Sequence, residues 1–302
     1  MQTLILLGLV GLAAQLINGS LGMGYGVTST TLLLMVGTSP AVASATVNLS
    51  QVGSQLASGF AHWRFGNVDR HVVLRIAAPG AVGAFAGALL LSRLSADAAG
   101  PLMSTILLAL GLYLLLRFTL RDLPRPTGAR PLSTAFLAPL GLVAGFMNST
   151  GGGGWGPVGT TALLATGRLE PRKVIGSISV GEFAVVLAGS LGFAVGLGLG
   201  GIDFAWVGVM LLGGLLAAPV AAWLARSVPA RPLGAMVGGL IVLTNTGVVL
   251  GADWAQLPPV PTYALYAGIL LAWAAAVAHC WRLHFAERRE AGARAEEPAA
   301  AG

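Results

Sequence analysis

The residues best suited to chemistry are one carboxylate and two glycine-rich segments. Glu182 lies well inside a long apolar stretch, and Asn18–Gly26 and Asn148–Gly156 each interrupt another. Glycines let a backbone turn sharply and expose N–H groups. A helix that starts just after such a turn aims its free N–H groups and partial positive charge back at the gap. Two turns of this kind would make a cradle for a small anion. From the first, the candidate binding residues are Asn18, Ser20, Gly22, Gly24 and Gly26; from the second, Asn148, Thr150, Gly152, Gly153, Gly154, Trp155 and Gly156. The hydroxyls of Ser20, Thr28, Thr150 and Thr160 and the amides of Asn18 and Asn148 add donors, and Trp155 is placed to wall the site. The alternative is that the glycines only permit close helix packing. The run Gly151–Gly154 argues against that at this point, because four consecutive glycines are poor helix material.

A second feature is a polar stripe. Ser44, Asn48, Gln51, Gln55 and Ser58 are spaced by four, three, four and three residues, which puts them on one helix face. Such a stripe faces a wet pathway or another helix. Asn48 and Gln51 therefore join the candidate binding set. The corresponding stretch further on carries Ser179, also a candidate, and Glu182 three residues later. An ionised carboxylate in hydrocarbon is costly, so Glu182 is expected to be protonated, paired or wet. It reads as a proton-coupling group, as a structural acid bonded to another helix, or as a group nearer the surface. No His-Glu-x-x-His motif and no paired intramembrane aspartates stand in the sequence, so no catalytic residues are assigned and no enzyme is expected. The single cysteine, Cys280, and four scattered histidines give no metal cluster, and no cofactor is expected.

These residues need apolar helices to hold them. The chain has 302 residues, 55% apolar and only 9% charged, with a mean hydropathy of +0.81. A soluble domain could not cover that much apolar surface with so few charges. The composition predicts an all-α polytopic membrane protein and excludes a soluble enzyme, a nucleic-acid binder or a disordered chain. Long apolar stretches fall at about 40–61, 72–92, 101–120, 171–197, 204–225 and 232–250, with another at about 263–284. The interrupted regions, 4–17 then 27–37 and 133–147 then 157–167, are short enough to read as pairs of half-helices.

The chain also repeats itself. Asn18 aligns with Asn148, Tyr25 with Trp155 and Thr30-Thr31 with Thr160-Thr161, with the glycines in register. Pro40 then aligns with Pro171, Gln51 with Glu182, and Gly66-Asn-Val-Asp69 with Gly200-Gly-Ile-Asp203. Arg and Lys crowd the segments near 62–71, 117–132, 167–173 and 226–231 and the C-terminal tail, whereas 37–40, 198–203 and 250–262 carry none. If basic loops are cytoplasmic, the second glycine-rich unit enters and leaves by the inner face, and the first by the outer face. The expected plan is two inverted repeats, each a broken-helix hairpin plus three spans: 1–120, then a basic cytoplasmic linker at 121–132, then 133–250. An additional C-terminal helix at 263–285 and a disordered polar tail at 286–302 complete it. The expected location is the cell (inner) membrane, multi-pass, with the N-terminus outside and the C-terminus cytoplasmic.

The duplicated glycine-rich turn, the prolines Pro40 and Pro171 and the Gly66-Asn-Val-Asp69 segment resemble the sulfite exporter TauE/SafE family, also called the 4-toluene sulfonate uptake permease family. The resemblance covers roughly residues 4–250. It implies movement of a small sulfur-containing oxyanion such as sulfite or an organosulfonate; the residues themselves argue only for a small anion. The first half departs from the family's Gly-Gly-Gly core, with Gly22-Met-Gly-Tyr-Gly26 in its place. The resulting expectation is a secondary transporter, an exporter, binding its substrate between the two turns near the membrane midplane. The rivals are a channel or carrier for another small solute or ion, an intramembrane enzyme, and an accessory subunit. The expected partners are a small anionic substrate and the lipid bilayer, with room for a homo-oligomer and no role for nucleic acid.

Overall fold

Helix starts follow local chemistry. Pro40 and Pro171 open two long helices at a position where no backbone N–H is needed. Asp69 caps a third by accepting the Val72 N–H at 3.2 Å, and Asp203 caps a fourth by accepting from Ala205 and Trp206 at 2.9 and 3.2 Å. The computed structural model describes residues 2–21, 23–120, 131–198, 202–224, 230–250 and 258–296. Gly22, Gly200 and most of the basic 121–132 segment lie outside the described residues.

Among the described residues the chain is helical and has no strand. In order come α1 (Gln2–Leu21), α2 (Tyr25–Met35), α3 (Pro40–Arg64), α4 (Arg70–Arg93), α5 (Ala96–Leu120) and α6 (Thr134–Thr150). A π-helical turn, Trp155–Thr160, leads into α7 (Thr161–Ala165). Then follow α8 (Pro171–Leu197), α9 (Phe204–Leu224), α10 (Ala230–Leu250) and α11 (Pro259–Glu296).

Four of these, α4, α5, α8 and α11, contain a stretch long and apolar enough to cross a membrane. Helix α3 is as long as α5, but its polar stripe and basic end lower its hydropathy. The hairpin limbs are unequal, unlike the expected pairs of half-helices. Helix α1 has 20 residues and runs about 30 Å, and α6 has 17 and runs about 26 Å. By contrast α2 has 11 residues and runs about 17 Å. The difference arises because Asn18 and Ser20 continue the helix instead of ending it; the break falls beyond Leu21. Helix α11 continues to Glu296, past position 286, where composition predicts loss of order.

The two halves pack on each other reciprocally. Helix α1 lies on α9 as α6 lies on α4, while α3 meets α8 and α5 meets α10. The match reaches single residues. A Cβ on Gly11 would stand 2.3 Å from the Met210 carbonyl oxygen, and one on Gly141 would stand 2.2 Å from the Ile76 carbonyl oxygen. Gly11 and Gly141 keep the spacing of Asn18 and Asn148, and Ile76 and Met210 each follow their capping aspartate by seven residues. Helix α11 has no counterpart in the repeat. It rests on α10 and α5, held by Trp273 Nε1 donating to the Ala235 carbonyl at 3.2 Å and by an Arg231–Glu287 ion pair at 3.1 Å.

The backbone approach between α4 and α6 makes a direct prediction. A Cβ at Gly145 would stand 2.0 Å from the Gly80 carbonyl oxygen, whereas one at Gly100 meets nothing within 4 Å. Gly145→Ala is expected to cost more than the about 1–3 kcal/mol of ordinary overpacking, because backbone cannot yield as a side chain can. Gly100→Ala is expected to be neutral. Thermal stability of the detergent-purified variants checks both.

Candidate functional site

The two glycine-rich turns meet in the interior, backbone against backbone. A Cβ on Gly26 would stand 2.4 Å from the Gly152 carbonyl oxygen, and one on Gly153 would stand 2.2 Å from the Val27 nitrogen. Gly24 (φ +108°) and Gly152 (φ +69°) adopt left-handed backbone that other residues rarely take. Thr30 ties the turns together, its Oγ1 donating to the Gly152 carbonyl at 3.0 Å. Side chains at Gly26, Gly152 or Gly153 would hold the turns apart. Of the remaining turn candidates, Gly154 precedes the π-helical turn and Gly156 is buried within it.

Asparagines organise the surroundings. Asn148 Oδ1 accepts the Trp155 N–H at 3.3 Å, capping the π-helical turn, while Asn148 Nδ2 donates to Asn48 Oδ1 at 3.2 Å. Asn48 Nδ2 donates to the Ser44 carbonyl at 2.9 Å, and Ser44 Oγ donates to the Ser149 carbonyl at 2.7 Å. The polar stripe of α3 therefore touches the second turn. Gly189 of α8 faces the same cluster, since a Cβ there would stand 2.8 Å from both Asn48 Oδ1 and Ser149 Oγ.

Glu182 is buried on α8 and faces α3. Gln51 Nε2 donates to one carboxyl oxygen at 3.3 Å and Gln55 Nε2 to the other at 2.6 Å. Gln51 and Glu182 are equivalent positions of the repeat and meet each other across it. Ser179 lies on α8 three residues before Glu182, with its carbonyl beside Gly59 of α3.

Some expected residues act differently. The indole of Trp155 fills gaps at Gly80 and Gly181, and its N–H donates to the Ile178 carbonyl at 3.0 Å. Tyr25 does the same in the other half, with its ring beside Gly214 and its hydroxyl 3.4 Å from Ser50 Oγ. Thr150 spends its hydroxyl on the Phe146 carbonyl of its own helix at 2.8 Å. Asn18 is half-buried in the last turn of α1, and the Ser20 side chain lies outside the described residues.

Residues that the sequence did not single out complete the arrangement. Asn245 of α10 donates to Thr31 Oγ1 at 3.2 Å, and Tyr113 of α5 donates to Thr161 Oγ1 at 2.5 Å. Thr31 and Thr161 are repeat equivalents, so each short helix is held by a polar side chain from the opposite half. A set of buried hydroxyls has no hydrogen-bond partner: Thr28, Ser29, Thr46, Ser149 and Thr160, and with them the side-chain carbonyl Gln51 Oε1.

The Glu182 network makes a stability prediction. In Glu182→Leu the amides of Gln51 and Gln55 lose their acceptor, at about 1–3 kcal/mol for each group left buried and unpaired. Glu182→Gln keeps an acceptor and is expected to lose less. Melting temperatures of the two variants in one detergent check the order.

The comparisons with known proteins bear on this site as a whole. The sequence model of the family described as "Sulfite exporter TauE/SafE" matches residues 7–246. The "Probable membrane transporter protein YtnM" of Bacillus subtilis (strain 168) is 44% identical over 278 residues, covering 92% of both chains. The "Probable membrane transporter protein YdhB" of the same organism is 25% identical over 212 residues, 70% of this chain and 84% of the relative. No solved structure matches. The matched range takes in both glycine-rich turns, Glu182 and the helices that carry them, and the chain is a membrane transporter belonging to the sulfite exporter TauE/SafE family.

Proposed function

We propose that the chain is a secondary transporter that exports a small sulfur-containing oxyanion, such as sulfite or an organosulfonate, bound where the two glycine-rich turns meet. The observation that carries this reading is the set of unpartnered buried hydroxyls on the elements around the turns, Thr28 and Ser29 on α2, Thr46 on α3, Ser149 at the end of α6 and Thr160 on the π-helical turn. Buried polar groups are ordinarily paired. Neutral hydroxyls suit an oxyanion, which needs donors, and those of Thr28 and Ser29 lie in the first turns of α2, where the partial positive charge adds to the attraction. The family description names sulfite as the exported species, and it supports the choice among anions.

In this reading the halves are inverted repeats. The reciprocal packing of α1 on α9 and α6 on α4 supports it, as do the paired contacts at Gly11 and Gly141. Such repeats let a carrier present one site to either face by exchanging the roles of its halves. An inside-negative potential favours export by about 2.3 kcal/mol per charge per 100 mV, so a uniporter suffices. Proton coupling through Glu182 adds to this. When Glu182 is ionised it accepts from both glutamines. When it is protonated, the free Gln51 Oε1 is the acceptor for its proton once that amide turns.

The test is current from purified protein in liposomes on a solid-supported membrane, with sulfite, thiosulfate, sulfate, sulfoacetate, taurine and chloride as challenges. One sulfur oxyanion is expected to give saturable current. Ser149→Ala and Thr160→Val remove hydroxyls that bond nothing in the protein, so they are expected to keep stability while raising KM about tenfold, the loss of one hydrogen bond to a charged group. Unchanged KM in both would remove the hydroxyls from the site. Glu182→Gln is expected to flatten the pH dependence of the current, and a pH profile identical to that of the unmodified protein would remove Glu182 from coupling.

A further inference from the structure

A separate cavity of about 280 Å³ opens between the start of α4 and the residues just before α6 and α8. Its walls are Asp69, His71 and Val72 at the start of α4, Pro131 and Leu132 before α6, and Arg168 with Leu169 before α8. It lies far from the turns. Gly87 of α4 packs against Thr150, and His71 lies 16 residues earlier on the same helix, about 24 Å along its axis.

The charges in this cavity are arranged for an anion. Arg168 has an exposed side chain with no ion-pair partner among the described residues. His71 also lines the cavity, with Nε2 3.1 Å from the Leu132 carbonyl and in contact with Arg75 Nη1, so a second guanidinium stands beside the ring. The carboxylate of Asp69 is committed to the helix end through the Val72 N–H, and its own N–H donates to Ser177 Oγ at 2.8 Å. The volume is several times the about 30 Å³ that one water occupies in the liquid. The other walls, Val72, Leu132 and Leu169, are apolar. Basic pockets between helices at headgroup depth bind anionic lipid headgroups.

We propose that this cavity is a second anion site, holding one tetrahedral oxyanion group of the phosphate kind, carried by a phospholipid headgroup or free in solution, between Arg168 and the His71–Arg75 pair. It is independent of the transport reading, because its ligand need not be the transported species.

The test uses the purified full chain. One arm is native mass spectrometry with phosphatidylglycerol against phosphatidylcholine; the other is thermal stabilisation by inorganic phosphate. Arg168→Gln and, separately, His71→Gln remove one wall each. Arg93→Gln makes the same charge change as Arg168→Gln at the far, exposed end of α4. The expected result is binding in at least one arm, weakened about tenfold by Arg168→Gln and unaffected by Arg93→Gln. Binding of phosphatidylglycerol alone identifies the headgroup as the source, and binding of phosphate in detergent identifies a free anion. Absence of binding in both arms, or an equal loss in Arg93→Gln, overturns the proposal.

Discussion

The structure depends on a close approach of two backbones. Gly26 and Gly153 touch main chain to main chain, and the Thr30–Gly152 hydrogen bond closes the contact. In hydrocarbon, a backbone that leaves the helix must find its partners inside the protein. Two interrupted helices can do so by meeting each other, provided nothing larger than hydrogen stands at the contact. The glycine requirement, the two short helices and the surrounding ring of buried polar groups follow from that constraint.

The constraint also explains the outer framework. The short limbs α2 and α7 cannot anchor themselves across a membrane, so each needs lateral support from the other half. Asn245 supports Thr31, and Tyr113 supports Thr161. Tyr25 and Trp155 act as wedges beside Gly214 and Gly80, fixing where each turn sits against a long helix. The long helices pack by small residues, as membrane bundles do in the absence of a hydrophobic drive between helices. Helix α11 stands outside this scheme and packs on one side only, which explains why it is the least buried of the four apolar spans.

Local features were largely legible in the sequence. The breaks before Tyr25 and Trp155 fall inside the glycine-rich segments, and Pro40, Pro171, Asp69 and Asp203 stand at the edges of the apolar stretches that become α3, α8, α4 and α9, where sequence spacing carries the information. The capping by the two aspartates was seen only in the structure. The stripe from Ser44 to Gln55 was legible as a face, and so was the presence of an acid on α8. Partnership was not legible. The pairing of Gln51 and Gln55 with Glu182 joins residues more than 120 positions apart, and the link from Asn245 to Thr31 spans 214. The seat of the Trp155 ring was not legible either, because the gaps that receive it are glycines on two other helices. The repeat could have led to Tyr113 and Asn245, since both sit about three-quarters of the way along equivalent helices, although their side chains have nothing in common.

The central claim is that the two turns enter the membrane from opposite faces and meet inside it. The most direct measurement is thiol labelling from each side of sealed, oriented vesicles. Ser39→Cys and Glu170→Cys mark the exposed far ends of α2 and α7 in a Cys280→Ser background. The account predicts that an impermeant maleimide reaches position 39 only from outside and position 170 only from inside. Labelling of both positions from the same face would contradict it.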